Sequence, residues 1–306
     1  MELVKVTEEV YYIHGAVNMG YIKKEGRGML IDSGLDKSSA KKILKLLSKL
    51  GLPLDMCIIT HGHTDHYGGA AQLKKEANIQ LYAPALESAF LTYPILEPIY
   101  LWNGAMPLKE LRNKFLEGEA ANLDGIIEEG TQTIGPFLFD AISLPGHSYA
   151  QYGILVEGIL FAADAYFGRE ALAKHKVPFI VDANATIASL EKMGQLAFIG
   201  AVPGHGEYES DITETIRFNL DCHIQIKEFL RESILEQPNG LQWEALMQAM
   251  CREYGLTSTT VGSWLLYRTS LTAYLTALAE DGDINIMVKD HLLWAAGAEK
   301  NPVNRQ

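Results

Sequence analysis

His61-Gly62-His63-Thr64-Asp65-His66 places four side chains able to bind a metal within six residues. Folding alone does not call for such a run, because histidine and aspartate fill cores poorly and are costly to bury without partners. The spacing has a physical logic. In extended chain, residues two apart point the same way, so His61 and His63 can grip one ion together. If the chain then bends into a helix, Asp65 and His66 swing towards a neighbouring position.

The flanks place this stretch on a strand-to-helix loop. An apolar strand is expected over 56–60 and a helix over 70–77, opened by Gly68-Gly69. In α/β proteins ligands collect beyond the carboxyl ends of strands. Further potential ligands follow the same rule. A strand over 137–144 ends at Pro145-Gly146-His147. A hairpin over 153–163, turning at Glu157-Gly158, ends at Asp164. A strand over 198–202, preceded by a helix over 186–196, ends at Pro203-Gly204-His205-Gly206. Five of the nine histidines thus fall just after expected strands. His14, His175, His223 and His291 read as surface or structural residues.

Upstream, strands are expected over 10–14, 17–23 and 28–32, with a turn at Glu25-Gly26-Arg27-Gly28, followed by a helix over 38–50. The third strand ends at Asp32. This residue is either a turn former or a buried carboxylate that supports a metal ligand from behind.

Seven candidate ligands result: His61, His63, Asp65, His66, His147, Asp164 and His205. They exceed one tetrahedral site and suit two neighbouring ions sharing a carboxylate. Mixed imidazole and carboxylate donors favour zinc, with iron or manganese as alternatives.

The bulk numbers bound the rest. The chain has 306 residues and a formal net charge of -12. That charge argues against non-specific affinity for nucleic acid or anionic membranes. No apolar leader opens the sequence and no apolar run reaches membrane-spanning length. Cys57, Cys222 and Cys251 are odd in number and far apart. They read as reduced thiols in a cytoplasmic protein, with Cys57 in the core.

Two segments depart from the strand-helix rhythm. Residues 85–124 are rich in aromatics and prolines and form either an extra packing layer or a lid over an apolar substrate pocket. Residues 223–306 form a mainly helical unit, with helices expected over 224–236, 241–254 and 259–280, then a small hairpin and a loose tail after Gly297. The helix over 259–280 carries one basic residue, Arg268, amid Trp264, Leu265, Leu266 and Tyr267. A helix that reads DNA would present more cations. A docking or dimer-forming face is the favoured reading, with a core role as the alternative.

His-x-His-x-Asp-His followed by separate His, Asp and His residues resembles the metallo-β-lactamase superfamily. Its Asp-x-Gly, Pro-Gly-His and Gly-His-Gly motifs match Asp32-Ser33-Gly34, Pro145-Gly146-His147 and Gly204-His205-Gly206. The resemblance covers about residues 3–222. It implies an αββα sandwich, with residues 1–222 as the catalytic domain. His61, His63 and His147 would hold one metal. Asp65, His66 and His205 would hold the second, with Asp164 bridging and Asp32 behind. It implies a hydrolase in which hydroxide activated between the metals attacks a carbonyl carbon or a phosphorus, with Asp65 catalytic; the apolar aromatic stretch over 85–124 and the acidic balance favour a small ester, thioester or lactone. A phosphodiesterase or ribonuclease, for which Lys174 and Lys176 offer phosphate contacts, is the alternative, beside a one-iron persulfide dioxygenase. A non-catalytic metal-binding protein is the third reading. The common zinc β-lactamase branch carries Cys where this chain has Asp164, and glutathione thioesterases often carry His where it has Gly62. The tail resembles the winged-helix-like domain of the β-lactamase-like-2 group. Tyr149 and Tyr166, near two motif loops, are candidate substrate contacts.

Overall fold

A computed structural model describes residues 1–298. The chain opens with four antiparallel strands, β1 (Glu2–Lys5), β2 (Val10–His14), β3 (Met19–Lys24) and β4 (Arg27–Ile31). The expected turn is present, with Glu25 and Gly26 both at positive φ. Helix α1 (Lys37–Lys49) is capped by the Asp36 carboxylate, which accepts from Ser39 N. It leads to β5 (Met56–Ile58), the short α2 (Thr64–Tyr67), α3 (Ala70–Ala77) and β6 (Gln80–Pro84). Helices α4 (Ser88–Thr92) and α5 (Leu96–Leu101) and a 3-10 turn at Lys109–Leu111 precede β7 (Gly125–Ile127). Strands β4, β5, β6 and β7 run parallel, so one sheet of seven strands is ordered β1-β2-β3-β4-β5-β6-β7.

The second sheet is built from β8 (Gly130–Ile134), β9 (Phe137–Ser143), β10 (Tyr152–Val156), β11 (Ile159–Ala163) and β12 (Gly200–Pro203), in the order β12-β11-β10-β9-β8. Helices α6 (Arg169–His175) and α7 (Ala183–Met193) intervene before β12. The two sheets face each other across a core that includes Ile22, Met29, Ile58, Phe139, Ile154 and Phe161. Ile43, Leu47 and Leu73 of α1 and α3 cover the outer face of the first sheet. Leu190 and Met193 of α7 cover that of the second. Four layers follow from this patterning, helix-sheet-sheet-helix, as expected. Cys57 is buried in the core.

The last third comprises α8 (Thr213–Leu235), β13 (Leu241–Gln242), α9 (Trp243–Glu253), α10 (Val261–Glu280), β14 (Ile284–Lys289) and β15 (Leu292–Gly297). The last two strands and β13 form a small antiparallel sheet ordered β13-β15-β14. From residue 299 on, the expected tail lies outside the described residues.

Several expectations need correction. Strand β1 and helix α6 occupy segments where no element was expected. The helix expected over 224–236 starts at Thr213, so position 222/223 falls inside a continuous helix. The face of α10 favoured for docking is core instead. Leu265, Leu271, Tyr274, Leu275 and Leu278 are buried, and Leu271, Tyr274, Leu275 and Leu278 pack with Ile226 and Leu230 of α8 and Leu246 and Met250 of α9. Arg268 donates to Asn103 Oδ1 at 2.6 Å. His223 is buried within α8, its Nδ1 2.7 Å from the Tyr274 hydroxyl.

Candidate metal centre

The loop after β5 carries the histidine run to the rim of the sandwich. His61 and Gly62 lie in a bend rather than on an extended strand, and His63, with extended backbone, is the N-cap from which the chain turns into α2. That turn swings Asp65 and His66 aside. His61, His63 and His147 offer ligand atoms that all lie within 4.8 Å of one another, and so do Asp65, His66, Asp164 and His205. The seven residues expected from the sequence thus form two adjacent groups.

Asp164 stands between them. Its Oδ1 lies 3.3 Å from His66 Nε2, and its Oδ2 lies 3.4 Å from both His147 Nε2 and His205 Nε2. Asp164 reaches this place because Gly204 yields room: a Cβ there would sit 2.0 Å from Asp164 Oδ1. His63 Nδ1 is 2.9 Å from His147 Nε2, and Asp65 Oδ2 is 3.4 Å from His205 Nε2.

The far nitrogens of four histidines are each tied to the fold, which sets ring orientation. His61 Nδ1 lies 3.1 Å from Thr60 Oγ1, and His66 Nδ1 lies 2.8 Å from Asp32 Oδ2. His147 Nδ1 donates to Phe179 O at 2.9 Å, and His205 Nδ1 to Ala16 O at 2.8 Å. Asp32 also accepts from Thr60 N and Thr60 Oγ1, so it steadies both groups. It does so from a left-handed backbone, φ 64°, a conformation that costs a non-glycine residue about 1 kcal/mol or more. Of the two readings of Asp32, the buried supporting carboxylate is the one found.

Charge divides the two groups. Burial pushes the imidazoles of His63 and His147 down to about 4, against the pull of Asp65 and Asp164, and holds His61 well below its usual range. In the second group burial is outweighed. Asp164 and Asp65 raise His205 to about 10, and Asp164, Asp32 and Asp65 hold His66 well above its ordinary value. Asp65 falls to about 2, because His66 and His205 outweigh its burial.

These donors fit metal ions. His61 Nε2, His66 Nε2 and Asp164 Oδ1 are buried and have no hydrogen-bond partner within the described residues. Buried polar atoms are otherwise paired almost without exception. The first group supplies three neutral nitrogens and the second two nitrogens and two carboxylates, a donor set suited to zinc, iron or manganese.

A cavity of about 290 Å³ opens on both groups. Phe167 stacks on His205 with ring centres 5.8 Å apart, and Phe179 lies 5.4 Å from His63. Phe115 and Leu116 come from the 85–124 segment, and Leu266 and Tyr267 from α10. The segment therefore both shapes the pocket and packs on the core, through Leu101, Leu111 and Leu116 against Leu265.

The remaining expected contacts fall elsewhere. Tyr166 is buried among Leu160, Leu190 and Ile212, and does not line this cavity. Tyr149 is exposed and sets its ring edge-on to Tyr100. Lys174 and Lys176 are exposed, and Lys176 reaches Gly255 O at 3.3 Å.

Three residues carry roles not expected from the sequence. Glu87, buried, accepts from Gly62 N at 2.8 Å, Ser148 Oγ at 2.6 Å and Ala150 N at 2.7 Å, lashing the two histidine loops together. His175, read as surface or structural, stands on the cavity wall with its ring 6.3 Å from that of His205. Glu97 lines the cavity although it is only 4 % exposed. It is the one charged residue between Tyr93 and Trp102, and that lone charge in an apolar run was the signal available.

Comparison with known proteins agrees with this geometry. Among curated proteins, the hydroxyacylglutathione hydrolase of Methylobacillus flagellatus is 24% identical over 148 residues, covering 48% of this chain and 46% of that protein. The hydroxyacylglutathione hydrolase GloC of Haemophilus influenzae is 26% identical over 147 residues, covering 47% and 63%. The chain thus spans about half to three-fifths of these relatives' length. A beta-lactamase domain protein from Burkholderia ambifaria superposes with a TM-score of 0.74 at 16% identity, covering 97% of this chain and 94% of that one. A metallo-beta-lactamase family protein from Thermus thermophilus gives 0.70 at 18% identity, covering 92% and 93%. The family profile of the metallo-beta-lactamase superfamily matches residues 13–205, a span that begins in β2 and ends on the last of the seven candidate ligands. With fold, ligand order and profile in agreement over more than half of its length, the chain belongs to the metallo-beta-lactamase superfamily.

Proposed function

We propose that this protein is a hydrolase with two divalent ions, zinc by preference, that cleaves a small ester, thioester or lactone. The observation that carries the reading is the cavity: it opens on two adjacent groups of candidate ligands, and no Lys or Arg stands on its wall among the described residues. A polyanionic substrate such as a phosphodiester would meet Asp65, Glu97 and Asp164 there without a compensating cation. An acyl group meets Phe115, Leu116, Phe179 and Leu266. The completeness of the second group supports two ions over a single iron. The names of the curated relatives put hydroxyacylglutathione first among substrates to try.

Bound at these residues, two divalent ions supply Lewis acidity and bring the acidity of water close to neutrality. His61, His63 and His147 would hold one; Asp65, His66 and His205 would hold the other, with Asp164 reaching both. Asp65 stays ionised and borders the cavity, so it accepts a hydrogen bond from the attacking water, turns it towards the substrate carbonyl and hands its proton on to the leaving group. Phe167 and Phe179 keep bulk water away from the ligand rings. Glu87 holds the two histidine loops in register while this happens.

Helices α8, α9 and α10 with β13, β14 and β15 follow the order of a winged helix, and we read the unit so. Its role is to wall the cavity through Leu266 and Tyr267 rather than to read nucleic acid. Three free cysteines support a cytoplasmic setting.

The test is a panel of thioesters, lactones and phosphodiesters with the zinc-loaded protein. Acyl substrates are expected to show the larger kcat/KM. Faster phosphodiester cleavage would overturn the reading.

A further inference from the structure

The carboxyl group of Glu97 is the unexplained polar group of the cavity. Glu97 sits in the first turn of α5 and is 4 % exposed. Its Oε2 has no hydrogen-bond partner within the described residues. It belongs to neither ligand group, and the mechanism above gives it no part. Burying a carboxyl without partners is expensive, so a site that retains one calls for a use. Its charge environment is also adverse, because Asp65 and Glu87 add their negative fields to its burial.

The position defines the use. Glu97 shares its cavity with the apolar side chains of Phe115, Leu116, Phe179 and Leu266 as well as with the candidate ligands. An unpartnered polar group in a partly apolar pocket fixes the orientation of a ligand that carries a matching polar atom. A hydroxyl matches, since it both donates and accepts and so pairs with a carboxyl in either protonation state.

We propose that Glu97 is a positioning residue that hydrogen-bonds a hydroxyl on the acyl portion of the substrate, and so selects hydroxyacyl over plain acyl groups. This deepens the hydrolase reading and rests on it. Discrimination of about 3- to 10-fold is expected, the worth of one hydrogen bond.

The experiment uses the full-length zinc-loaded protein and matched thioesters with hexanoyl and 2-, 3- or 4-hydroxyhexanoyl groups. Wild type should favour one hydroxylated isomer by that factor, chiefly through KM. Glu97→Gln should keep the preference, because its amide pairs with a hydroxyl. Glu97→Leu should lose it while raising Tm, since it removes a buried carboxyl that has no partner. Equal kcat/KM for all isomers in wild type, or a preference that survives in Glu97→Leu, would overturn the proposal. So would a lower Tm in Glu97→Leu, which would reveal a structural partner. Binding of the corresponding non-hydrolysable amides, read by calorimetry, is independent of turnover. If no thioester is cleaved but the hydroxyamide binds wild type more tightly than Glu97→Leu, the hydrolase reading fails and the role of Glu97 stands. If thioesters are cleaved without discrimination, the reverse holds.

Discussion

Asp164 Oδ1 lies 3.3 Å from His66 Nε2, while the other oxygen of the same carboxylate faces His147 and His205 at 3.4 Å. One side chain therefore touches both ligand groups. Replacing Asp164 with Ala should weaken both, lowering metal content and reducing kcat by about 100-fold or more, the scale on which a positioned acid-base or metal-holding group acts. Metal analysis beside steady-state kinetics checks this; an Asp164→Ala protein with full metal content and full activity would refute the bridging position.

Asp32 supports His66 through a 2.8 Å contact, and Thr60 through three more. Asp32→Ala removes the partner of His66 Nδ1 without touching a ligand atom. A roughly 10- to 100-fold loss in affinity for the second ion is expected, the usual cost of losing such a support. Competitive chelator titration measures it, and unchanged affinity would show that His66 is oriented by other means.

Gly62 faces Phe90 so closely that an added Cβ would lie 2.7 Å from the Phe90 Cβ. Gly62→Ala should cost about 1–3 kcal/mol through overpacking, and Phe90→Gly in the same chain should recover part of it, because it removes the Phe90 Cβ, Cγ and Cδ2 that the new methyl meets. Chemical denaturation of both single variants and the double variant tests the coupling. Purely additive losses would mean that Phe90 does not fill the space beside Gly62.

The clustering of these residues is legible in the sequence because the candidate ligands occupy motif positions just after strands, where the chain has little other use for histidine. The helix-sheet-sheet-helix layering is legible for a similar reason: apolar alternation sets strand faces, and Ile43 and Leu47 recur at helical spacing. Contacts between segments distant in sequence are not legible. Glu87 is one carboxylate among many until the fold brings Gly62, Ser148 and Ala150 to it. Tyr166 misled because its neighbours in sequence approach the site while its ring turns into the core. The apolar residues of α10 suggested an outer face because their helical partners, Ile226 and Leu230, come from another segment.

The charge of the second group predicts the pH dependence of metal binding. His205 is raised to about 10, so it carries a proton at neutral pH in the metal-free protein. Its contribution to metal-free stability is therefore complete below about pH 6.5 and is lost as the pH rises through about 10. A metal needs the neutral imidazole, so binding expels that proton and apparent affinity weakens as the pH falls. Calorimetry in buffers of different ionisation enthalpy should show net proton release near neutral pH. Binding without proton release would contradict the charge assignment.

Metal content per chain tests the central claim most directly. Purified wild-type protein, reconstituted and freed of loose ions, should hold two divalent ions per chain by elemental analysis. His66→Ala should hold one, because His61, His63 and His147 remain intact while the second group loses a ligand. A single iron per wild-type chain, unchanged in His66→Ala, would contradict the account.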